Sequence, residues 1–540
     1  MREGQGDQPQ PERGATAAPI AVAAVLLFVY VATLAPTVTY WDSGEFIAAV
    51  KTLGIPHPPG TPLYILIANV WATLVSPFVG YAYAVNLLSA VSTAAACGVL
   101  TWLMATWTRD PWSAAAGGLL AGLMSSVWLN ANETEVYAPS LLFSAILLFV
   151  ANRGRETAEA KWLVLLAYLI GLGWTLQLSA LVAAPAAIVL AFSGRRRSYH
   201  ASGREPGRAI WTGVQGVAMI ALGASAVLFM LVRASHDPGV NQGNPDTWRS
   251  FIDVVTRAQY QPVPILPRQA PVFLQVGNLF EYADWQIALG LASEAPPSWR
   301  RTPFSIAYAL LGVAGFAWHR RIHRPSWLGM SMVLACASLG IIAYLNMKAG
   351  PSYGYGFLPE GTKREARERD YFFALAFACW GLWAGAGAMR VFARGGSRGR
   401  WIGVAVAMLP ALLNRSAVDR SRVPLASAAA DSARRILEPA PARAVVFAYG
   451  DNDTYPGWFT QQVEGVRRDV TLVTVPLLAA RWYRAELARR ERLLDAEFVG
   501  RWRGVPSTIT AICTAAARMQ RPVIASPLRH DSPVPAQCAG

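Results

Sequence analysis

The chain has 540 residues, of which 54% are hydrophobic and only 15% are charged. This composition excludes a soluble globule and predicts a polytopic α-helical membrane protein with polar loops. The net charge of +15 does not indicate nucleic-acid binding, because Lys and Arg occur in short clusters between apolar runs and form no basic stripe with interleaved aromatics.

The N-terminus predicts a tail followed by a membrane anchor. Residues 1–16 are polar and contain Pro and Gly, so we expect a disordered cytoplasmic tail. The first apolar run, Pro19 to Pro36, is long enough to cross a bilayer as a helix. No small-x-small cleavage site follows it, which favours an uncleaved signal anchor.

An unusual polar stretch, "YWDSGEFIAAVKTLGIPHPPGTPLY", follows this anchor. Asp42 and Glu45 lie three residues apart and would share a helix face. They could form a catalytic base with a carboxylate that orients it or adjusts its pKa, or they could cap a helix. The "PHPPG" segment would display His57 rigidly or form a hinge, because proline fixes φ and restricts the preceding residue.

The later apolar runs predict ten further spans. The run at 162–193 is too long for one helix and is interrupted by glycines and Gln177, so we interpret it as a hairpin. The runs are about 84–107, 113–130, 138–151, 162–193, 211–232, 303–318, 325–347, 371–391 and 401–413.

Basic clusters decide the topology of these spans. If the apolar run Thr61 to Val79 lies in the interface without crossing, every cluster falls on the side of the N-terminus, as the positive-inside rule requires. We therefore predict about eleven spans, a cytoplasmic N-terminus and an extracytoplasmic C-terminus. The clusters are Arg153/Arg155/Lys161, Arg195/Arg196/Arg197 with Arg204 and Arg208, Arg320/Arg321/Arg324, and Arg394/Arg398/Arg400.

This topology collects the polar loops on the outer face. The first outer loop, 37–83, contains Asp42 and Glu45, and "NETEVY" adds Glu133, Glu135 and Tyr137, as turn caps or as site groups. The long outer loop, 233–302, contains an amphipathic helix from Trp248 to Tyr260 that could lie on the membrane or cover a groove, with Arg257 as a candidate groove residue.

The run "KREARERD" enters a span from the outer side, where the positive-inside rule disfavours cations. A phosphate or pyrophosphate at the membrane surface would compensate the charge, and Arg binds such groups bidentately. We therefore predict Arg367 and Arg369 as anion ligands, with Asp370 and Tyr371 as packing or orienting neighbours.

The last 120 or so residues change character. Buried strands alternate with helices, which predicts a small α/β domain with a parallel sheet over 420–540, with "RPVIASP" as a third strand. We expect the "DNDTYPGW" stretch to cap the helix that follows it, since three adjacent residues make no metal site by themselves. Cys513 and Cys538 could form a disulfide in an oxidising compartment.

Four segments together resemble the DUF2723 family, also classed as glycosyltransferase family 117. These are "WDSGEFIAAVKTLGIPHPPGTPLYIL", "NETEVYAPSLLF", "EARERDYFF" and "GDNDTYPGWFTQQVEGVRRDV", in this order. The resemblance implies a GT-C-type glycosyltransferase fold, with residues 17–415 as the transmembrane catalytic domain. It also implies an acidic base in the first outer loop, here Asp42, and a polyprenyl-phosphate sugar as donor.

The function implied is transfer of a sugar, mannose or another hexose, to a hydroxyl of a secreted or membrane protein by an inverting mechanism. Asp42 and Glu45 would be catalytic, and no cofactor would be required, although a divalent metal stays an option. The alternatives are transfer to a lipid-linked glycan or cell-wall polymer, or a transporter or scaffold for an anionic lipid-linked solute. Transporters place ionisable groups at mid-membrane and show repeat symmetry, whereas these charges lie at span ends, which favours the enzyme.

Overall fold

A computed structural model describes residues 14–193, 206–261, 263–525 and 538. The chain forms a helical bundle followed by a small unit that contains its three strands. The predicted tail, residues 1–16, lies almost wholly outside the described residues, and the predicted basic cluster at 195–204 lies outside them as well.

The first part of the bundle runs to the start of the long outer loop. Its α-helices are Gly14–Val31, Ser43–Thr52, Pro62–Val79, Tyr81–Thr108, Pro111–Leu123, Ser125–Ala131, Tyr137–Thr157, Ala160–Leu176, Ala184–Ser193, Pro206–Ala224 and Phe229–Ala234. The predicted hairpin at 162–193 is present, and its first helix ends at Gln177.

The second part carries the long outer loop and the remaining bundle helices. Its α-helices are Trp248–Val255, Val272–Asp284, Thr302–Ile322, Arg324–Ala335, Ile341–Leu345, Ala374–Phe392, Gly396–Met408, Pro410–Leu413 and Arg415–Val418. The predicted amphipathic helix is shorter than expected: it ends at Val255, and a separate 3-10 turn covers Ala258–Tyr260, because Arg257 adopts a left-handed backbone conformation with φ 60°.

Within the described residues, six helical stretches are long and apolar enough to cross a membrane, and a seventh is added if the bent pair Pro111–Leu123 and Ser125–Ala131 counts as one. The six are Pro62–Val79, Tyr81–Thr108, Tyr137–Thr157, Ile210–Ala234, Arg324–Leu345 and Asp370–Leu413. Three shorter apolar helices accompany them. The chain is therefore an integral membrane protein, and the count of about eleven spans stays a prediction.

The Pro62–Val79 helix has the length and composition of a span, although we predict that it stays in the interface. Asn69 in its middle donates to the carbonyl oxygen of Val50 at 2.7 Å, and Trp71 donates to Ala84 O at 2.7 Å. Both partners lie near the ends of their own helices, on the side of the first outer loop. These contacts hold the middle of the helix close to that loop.

Glycines let the bundle helices touch backbone to backbone. A Cβ added at Gly315 would overlap Trp383 O, and one at Gly387 would overlap Leu311 O, so Thr302–Ile322 and Ala374–Phe392 approach without side chains between them. Gly385 meets Ala116 O in the same way. Small residues at helix contacts are typical of membrane bundles, where close packing replaces the hydrophobic effect.

The C-terminal unit has a three-stranded parallel sheet in the order β2-β1-β3. The strands are β1 (Val445–Ala448), β2 (Thr471–Thr474) and β3 (Val523–Ala525). The α-helices around them are Ala428–Leu437, Asp451–Gln462, Arg481–Glu486, Ala496–Gly500 and Val505–Arg518. The predicted α/β fold with a third strand is confirmed, and a disulfide joins Cys513 to Cys538.

We expect Gly315→Leu to lower the melting temperature of the purified protein in detergent strongly, because the side chain has no space against Trp383 O and overpacking costs about 1–3 kcal/mol or more. Gly213→Leu is the matched control, since a Cβ there meets nothing within 4 Å. Thermal unfolding of both variants measures the difference. Equal melting temperatures would show that the two helices do not touch at Gly315.

Candidate active site

The first outer loop presents Asp42 to the site without using it as a cap. The Ser43–Thr52 helix begins directly after Asp42, yet the Asp42 side chain makes no capping hydrogen bond. The capping alternative for this residue is therefore wrong. Its carboxylate instead accepts a hydrogen bond from Arg367, with 2.7 Å between Nη2 and Oδ2.

Arg367 is held between two aromatic rings as well as by Asp42. Its guanidinium lies 4.8 Å from the ring centroid of Trp41 and 4.8 Å from that of Tyr371. Burial alone would lower the pKa of Arg367, but Asp42, Tyr371 and Glu135 outweigh it and raise that pKa above its ordinary value. The Asp42–Arg367 pair is thus a charged, largely buried contact with a fixed orientation.

Glu45 is fully buried and turns away from solvent. Its Oε1 accepts from the backbone N–H of His57 at 2.6 Å and from the side-chain amide of Gln242, and its Oε2 lies 2.5 Å from Nδ1 of His57. Burial raises the pKa of Glu45, while contact with His57 opposes the rise. A carboxylate that accepts three N–H donors is well satisfied in its ionised form.

His57 is the partner of Glu45 and is charged at neutral pH. Burial lowers the pKa of His57, but Glu45, with Asp42 and Glu135 further away, raises it to about 9. The ring lies 5.5 Å from that of Phe46, and its side chain is 24% exposed. The two alternatives for "PHPPG", a hinge and a rigid segment that displays His57, both stay predictions.

Of the two carboxyl groups in the "NETEVY" segment, Glu135 lies in the site and Glu133 does not. Glu135 is buried with Oε2 unpartnered, and burial raises its pKa well above the ordinary value, with Asp42 adding to the rise and Arg367 opposing it. Glu133 pairs with Arg420 at 3.5 Å. The Tyr137 ring packs 4.8 Å from that of Tyr371, so it belongs to the aromatic wall beside Arg367.

The second predicted anion ligand is already engaged. Arg369 donates to Glu365 at 3.0 Å and to the hydroxyl of Tyr371 at 2.6 Å. Asp370 accepts a hydrogen bond from Ser126 at 2.6 Å. Asp370 therefore binds the bent helix pair through Ser126 and does not contact Arg367. Tyr371, in contrast, contacts both Arg367 and Arg369.

Arg257 lies at the edge of the site in the long outer loop. Its guanidinium is 5.7 Å from the ring of Tyr260, and its buried Nε has no partner. The pKa of Tyr260 is raised by burial and then by Glu45 and Asp42, which places this tyrosine near the first outer loop. The role of Arg257 as a groove residue stays a prediction.

The C-terminal unit docks directly on the first outer loop. The backbone N–H of Trp41 donates to the Asn452 side chain at 2.7 Å, and a Cβ on Gly44 would overlap Tyr455 O. Partial burial raises the pKa of Asp451, and Asp42 adds to the rise. The "DNDTYP" stretch forms the first turn of the Asp451–Gln462 helix, where Asp453 accepts a hydrogen bond from the backbone N–H of Tyr449 at 3.1 Å. The predicted local turn role is therefore present, together with a contact to the first outer loop.

Sequence reasoning missed Gln242 and the "DNDTYP" stretch as parts of the site. Gln242 lies in a loop without a recognisable motif, and only the fold brings it to Glu45. Asp451 and Asn452 belong to the "DNDTYPGW" stretch, whose residue types predict a local turn and indicate no contact with the first outer loop. Within the described residues, no group of three His, Cys, Asp or Glu side chains could hold a metal ion.

Comparison with known proteins gives two family matches. Residues 42–200 match the family described as Protein O-mannosyl-transferase TMEM260 N-terminal domain, and residues 429–495 match TMEM260-associated domain 2. The two matched segments contain both sides of the contact between Gly44 and Tyr455, which joins the first outer loop to the C-terminal unit.

Among the proteins similar to the chain are two curated relatives. Protein O-mannosyl-transferase TMEM260 of Mus musculus is 37% identical over 151 residues, which cover 27% of this chain and 21% of that protein. Protein O-mannosyl-transferase tmem260 of Dictyostelium discoideum is 24% identical over 257 residues, 44% of this chain and 30% of that protein. The chain thus matches less than a third of the length of either relative.

The apo crystal structure of ArnT from Cupriavidus metallidurans matches with a TM-score of 0.50 and 13% identity, over 87% of this chain and 91% of that one. ArnT is a GT-C membrane glycosyltransferase. The likeness confirms the predicted GT-C-type fold.

We expect Glu135→Gln to melt at a higher temperature than the wild type by an amount that grows with pH. The unfolded carboxyl titrates near pH ~4.3, and the folded pKa is higher, so the wild type loses stability as pH rises through the folded pKa. The amide has no proton to lose. The gain is about 1.4 kcal/mol for each unit between the two pKa values.

Thermal unfolding in detergent between pH 5 and 9 measures this difference. Glu133→Gln is the control, because it removes a carboxylate that is paired with Arg420 and should give no gain that grows with pH. A difference between Glu135→Gln and the wild type that stays constant over the range would contradict a raised pKa.

Proposed function

We propose that this chain is a membrane glycosyltransferase that moves a hexose, most simply mannose, from a polyprenyl phosphate to a Ser or Thr hydroxyl of a protein. The observation that carries the proposal is the Asp42–Arg367 contact in the first outer loop, which sets a base beside a cation within a GT-C-type fold. The named activity of the two relatives supports the sugar and the protein acceptor.

In the proposed reaction Asp42 is the general base. It takes the proton of the acceptor hydroxyl as the oxygen attacks the anomeric carbon, and the bond from that carbon to the phosphate oxygen breaks on the opposite face. The electron pair leaves with the lipid phosphate, and the sugar inverts. The Asp42 side chain is 15% exposed, so part of it is accessible to an acceptor.

Arg367 receives the negative charge that develops on the phosphate. A guanidinium has five N–H donors, and within the described part of the chain those of Arg367 make one hydrogen bond, to Asp42. An incoming phosphate would compete with Asp42 for this cation. Each hydrogen bond that Arg367 transfers from the carboxylate to the phosphate makes Asp42 a stronger base, so donor binding would activate the base.

Arg369 is the second cation that we assign to the donor phosphate. It contributes through its charge while Glu365 and Tyr371 fix its orientation. Burial lowers the pKa of Arg369, but Tyr371 and Glu365 raise it above its ordinary value, so the charge is permanent. Two guanidinium groups neutralise a departing phosphate without a metal, and the reaction therefore requires no cofactor.

The Pro62–Val79 helix offers an apolar wall for the lipid chain of the donor. Ile67, Val70, Leu74 and Phe78 are exposed along it, between 46% and 85% of their surfaces. We place this wall, the first outer loop and the α/β unit on the extracytoplasmic face of the plasma or inner membrane, or of the endoplasmic reticulum in a eukaryote. The cytoplasmic N-terminus follows from the positive-inside rule.

We expect Asp42→Asn to reduce transfer by at least a thousandfold, because the amide cannot accept the acceptor proton. The assay incubates purified protein with radiolabelled polyprenyl-phosphate mannose and a membrane extract, and follows label in protein, lipid and polymer fractions. Asp253→Asn, an exposed carboxylate of the long outer loop, is the control. Equal transfer by Asp42→Asn and the wild type would refute the base, and label in lipid or polymer alone would refute the protein acceptor.

We expect Arg367→Gln to lower kcat about a hundred- to a thousandfold, as removal of a single charge-stabilising donor does elsewhere. Arg367→Lys should recover part of the loss, because it keeps the charge but not the planar fork. Arg249→Gln, an exposed arginine of the Trp248–Val255 helix, is the control. A loss confined to KM of the acceptor would contradict a role at the phosphate.

A further inference from the structure

Glu45 cannot act as a second base in the arrangement that the structure shows. Its side chain is 0% exposed, and both oxygens are engaged. Oε1 accepts from the His57 backbone and from Gln242, and Oε2 faces the His57 ring. A carboxylate with this environment orients its partner and touches no substrate.

The long outer loop clamps the segment that carries His57. Ile55 donates its N–H to Val240 O at 2.8 Å, and Gln242 donates its N–H to Ile55 O at 2.9 Å. The side chain of Gln242 then continues inward to Glu45. One short stretch, 240–242, therefore fixes both the backbone before His57 and the carboxylate that holds its ring.

This clamp leaves one ring nitrogen of His57 available. Nδ1 faces Glu45, so Nε2 points to the other edge of the ring, and no described residue partners it. The His57 side chain is 24% exposed, so this edge of the ring is accessible. A ring fixed at one nitrogen and free at the other is the arrangement that orients a histidine toward a ligand.

The charges that face His57 come from several elements. Glu45 comes from the Ser43–Thr52 helix, Asp42 from the residue before it, Glu135 from the next outer segment and Asp451 from the C-terminal unit. The cations that reach the same groups are Arg367 and Arg369. The excess of carboxyl groups favours the protonated ring, and an imidazolium with a free N–H is a ligand for an anion.

We propose that His57 is a third cationic ligand of the donor phosphate, through Nε2–H, and that Glu45 and Gln242 are positioning residues that hold its ring. This inference rests on the proposed function. His57 donates a hydrogen bond to the phosphate oxygen that takes up the electron pair of the broken bond, and the proton stays on the ring. It assigns to Glu45 a role in orientation, in place of the catalytic role predicted from sequence.

The test measures binding of undecaprenyl phosphate, as the product analogue, to purified protein in nanodiscs between pH 6 and 10. Wild-type binding should weaken as pH rises through about 9, where His57 loses its proton. In Glu45→Gln the buried ring loses the carboxylate that opposes the effect of burial most strongly, so binding should weaken at a lower pH than in the wild type. His57→Gln should bind about 10- to 100-fold more weakly at pH 7, as expected for loss of a charged hydrogen bond.

Gln242→Leu separates positioning from stability. It should weaken binding at pH 7, but the pH above which binding is lost should stay near the wild-type value, because Glu45 and its charge remain. Gln275→Leu is the matched control: Gln275 is 2% exposed, Gln242 is 1% exposed, and both side chains bond within the outer loops. It should lower the melting temperature comparably without changing binding. Nanodiscs with phosphatidic acid in place of undecaprenyl phosphate should show at least tenfold weaker competition.

Three results would overturn the inference. Glu45→Gln could lose binding only near pH 9, as the wild type does, or His57→Gln could bind as tightly as the wild type. Phosphatidic acid could also bind as tightly as undecaprenyl phosphate. These results differ from failure of the proposed function. If the protein binds undecaprenyl phosphate and loses binding as pH rises through about 9, yet transfers no sugar, the proposed transferase is refuted and the His57 site is kept. If it transfers sugar but its binding does not weaken over that pH range, the His57 site is refuted and the transferase is kept.

Discussion

The contact between Asp42 and Arg367 is the constraint on which the rest of the site depends. It joins residues 325 positions apart and draws the first outer loop onto the segment that precedes the Ala374–Phe392 helix. Trp41 and Tyr371 lie against the cation, and both side chains of the pair are largely buried. A buried pair of this kind costs desolvation free energy, which argues that its value lies in function more than in stability.

Three carboxyl groups lie in or near that pair, and their surroundings differ. Glu45 is buried but receives three N–H donors, whereas Glu135 is buried with an unpartnered oxygen, and burial raises its pKa well above the ordinary value. Asp42 faces a guanidinium and keeps an accessible edge. Three acids in one region thus become an orienting carboxylate, a carboxyl group with a raised pKa and a candidate base, because their surroundings differ.

The sequence was sufficient for the class of fold and for the chain segments of the site, and insufficient for the partnerships inside it. Apolar runs and the alternation of strand and helix predict the bundle and the α/β unit because they report periodicity and burial directly. The Arg367 charge run was found because its sign conflicts with its predicted side of the membrane. Gln242 could not be found, because a glutamine gains its role only when a distant loop places it against a buried carboxylate.

The engagement of Arg369 and the docking of the C-terminal unit have the same cause: both depend on tertiary neighbours that local chemistry does not indicate. The C-terminal unit contacts the site through backbone as much as through side chains, since Gly44 lies against Tyr455 O and Trp41 N–H bonds to Asn452. Arg490 adds a further bond to Pro238 O in the long outer loop. Arg367 therefore holds the first outer loop on one side, and the α/β unit holds it on the other. Movement of that unit would move Trp41, and with it the ring that packs on Arg367, so the geometry of the base depends on a domain that carries none of the proposed proton chemistry.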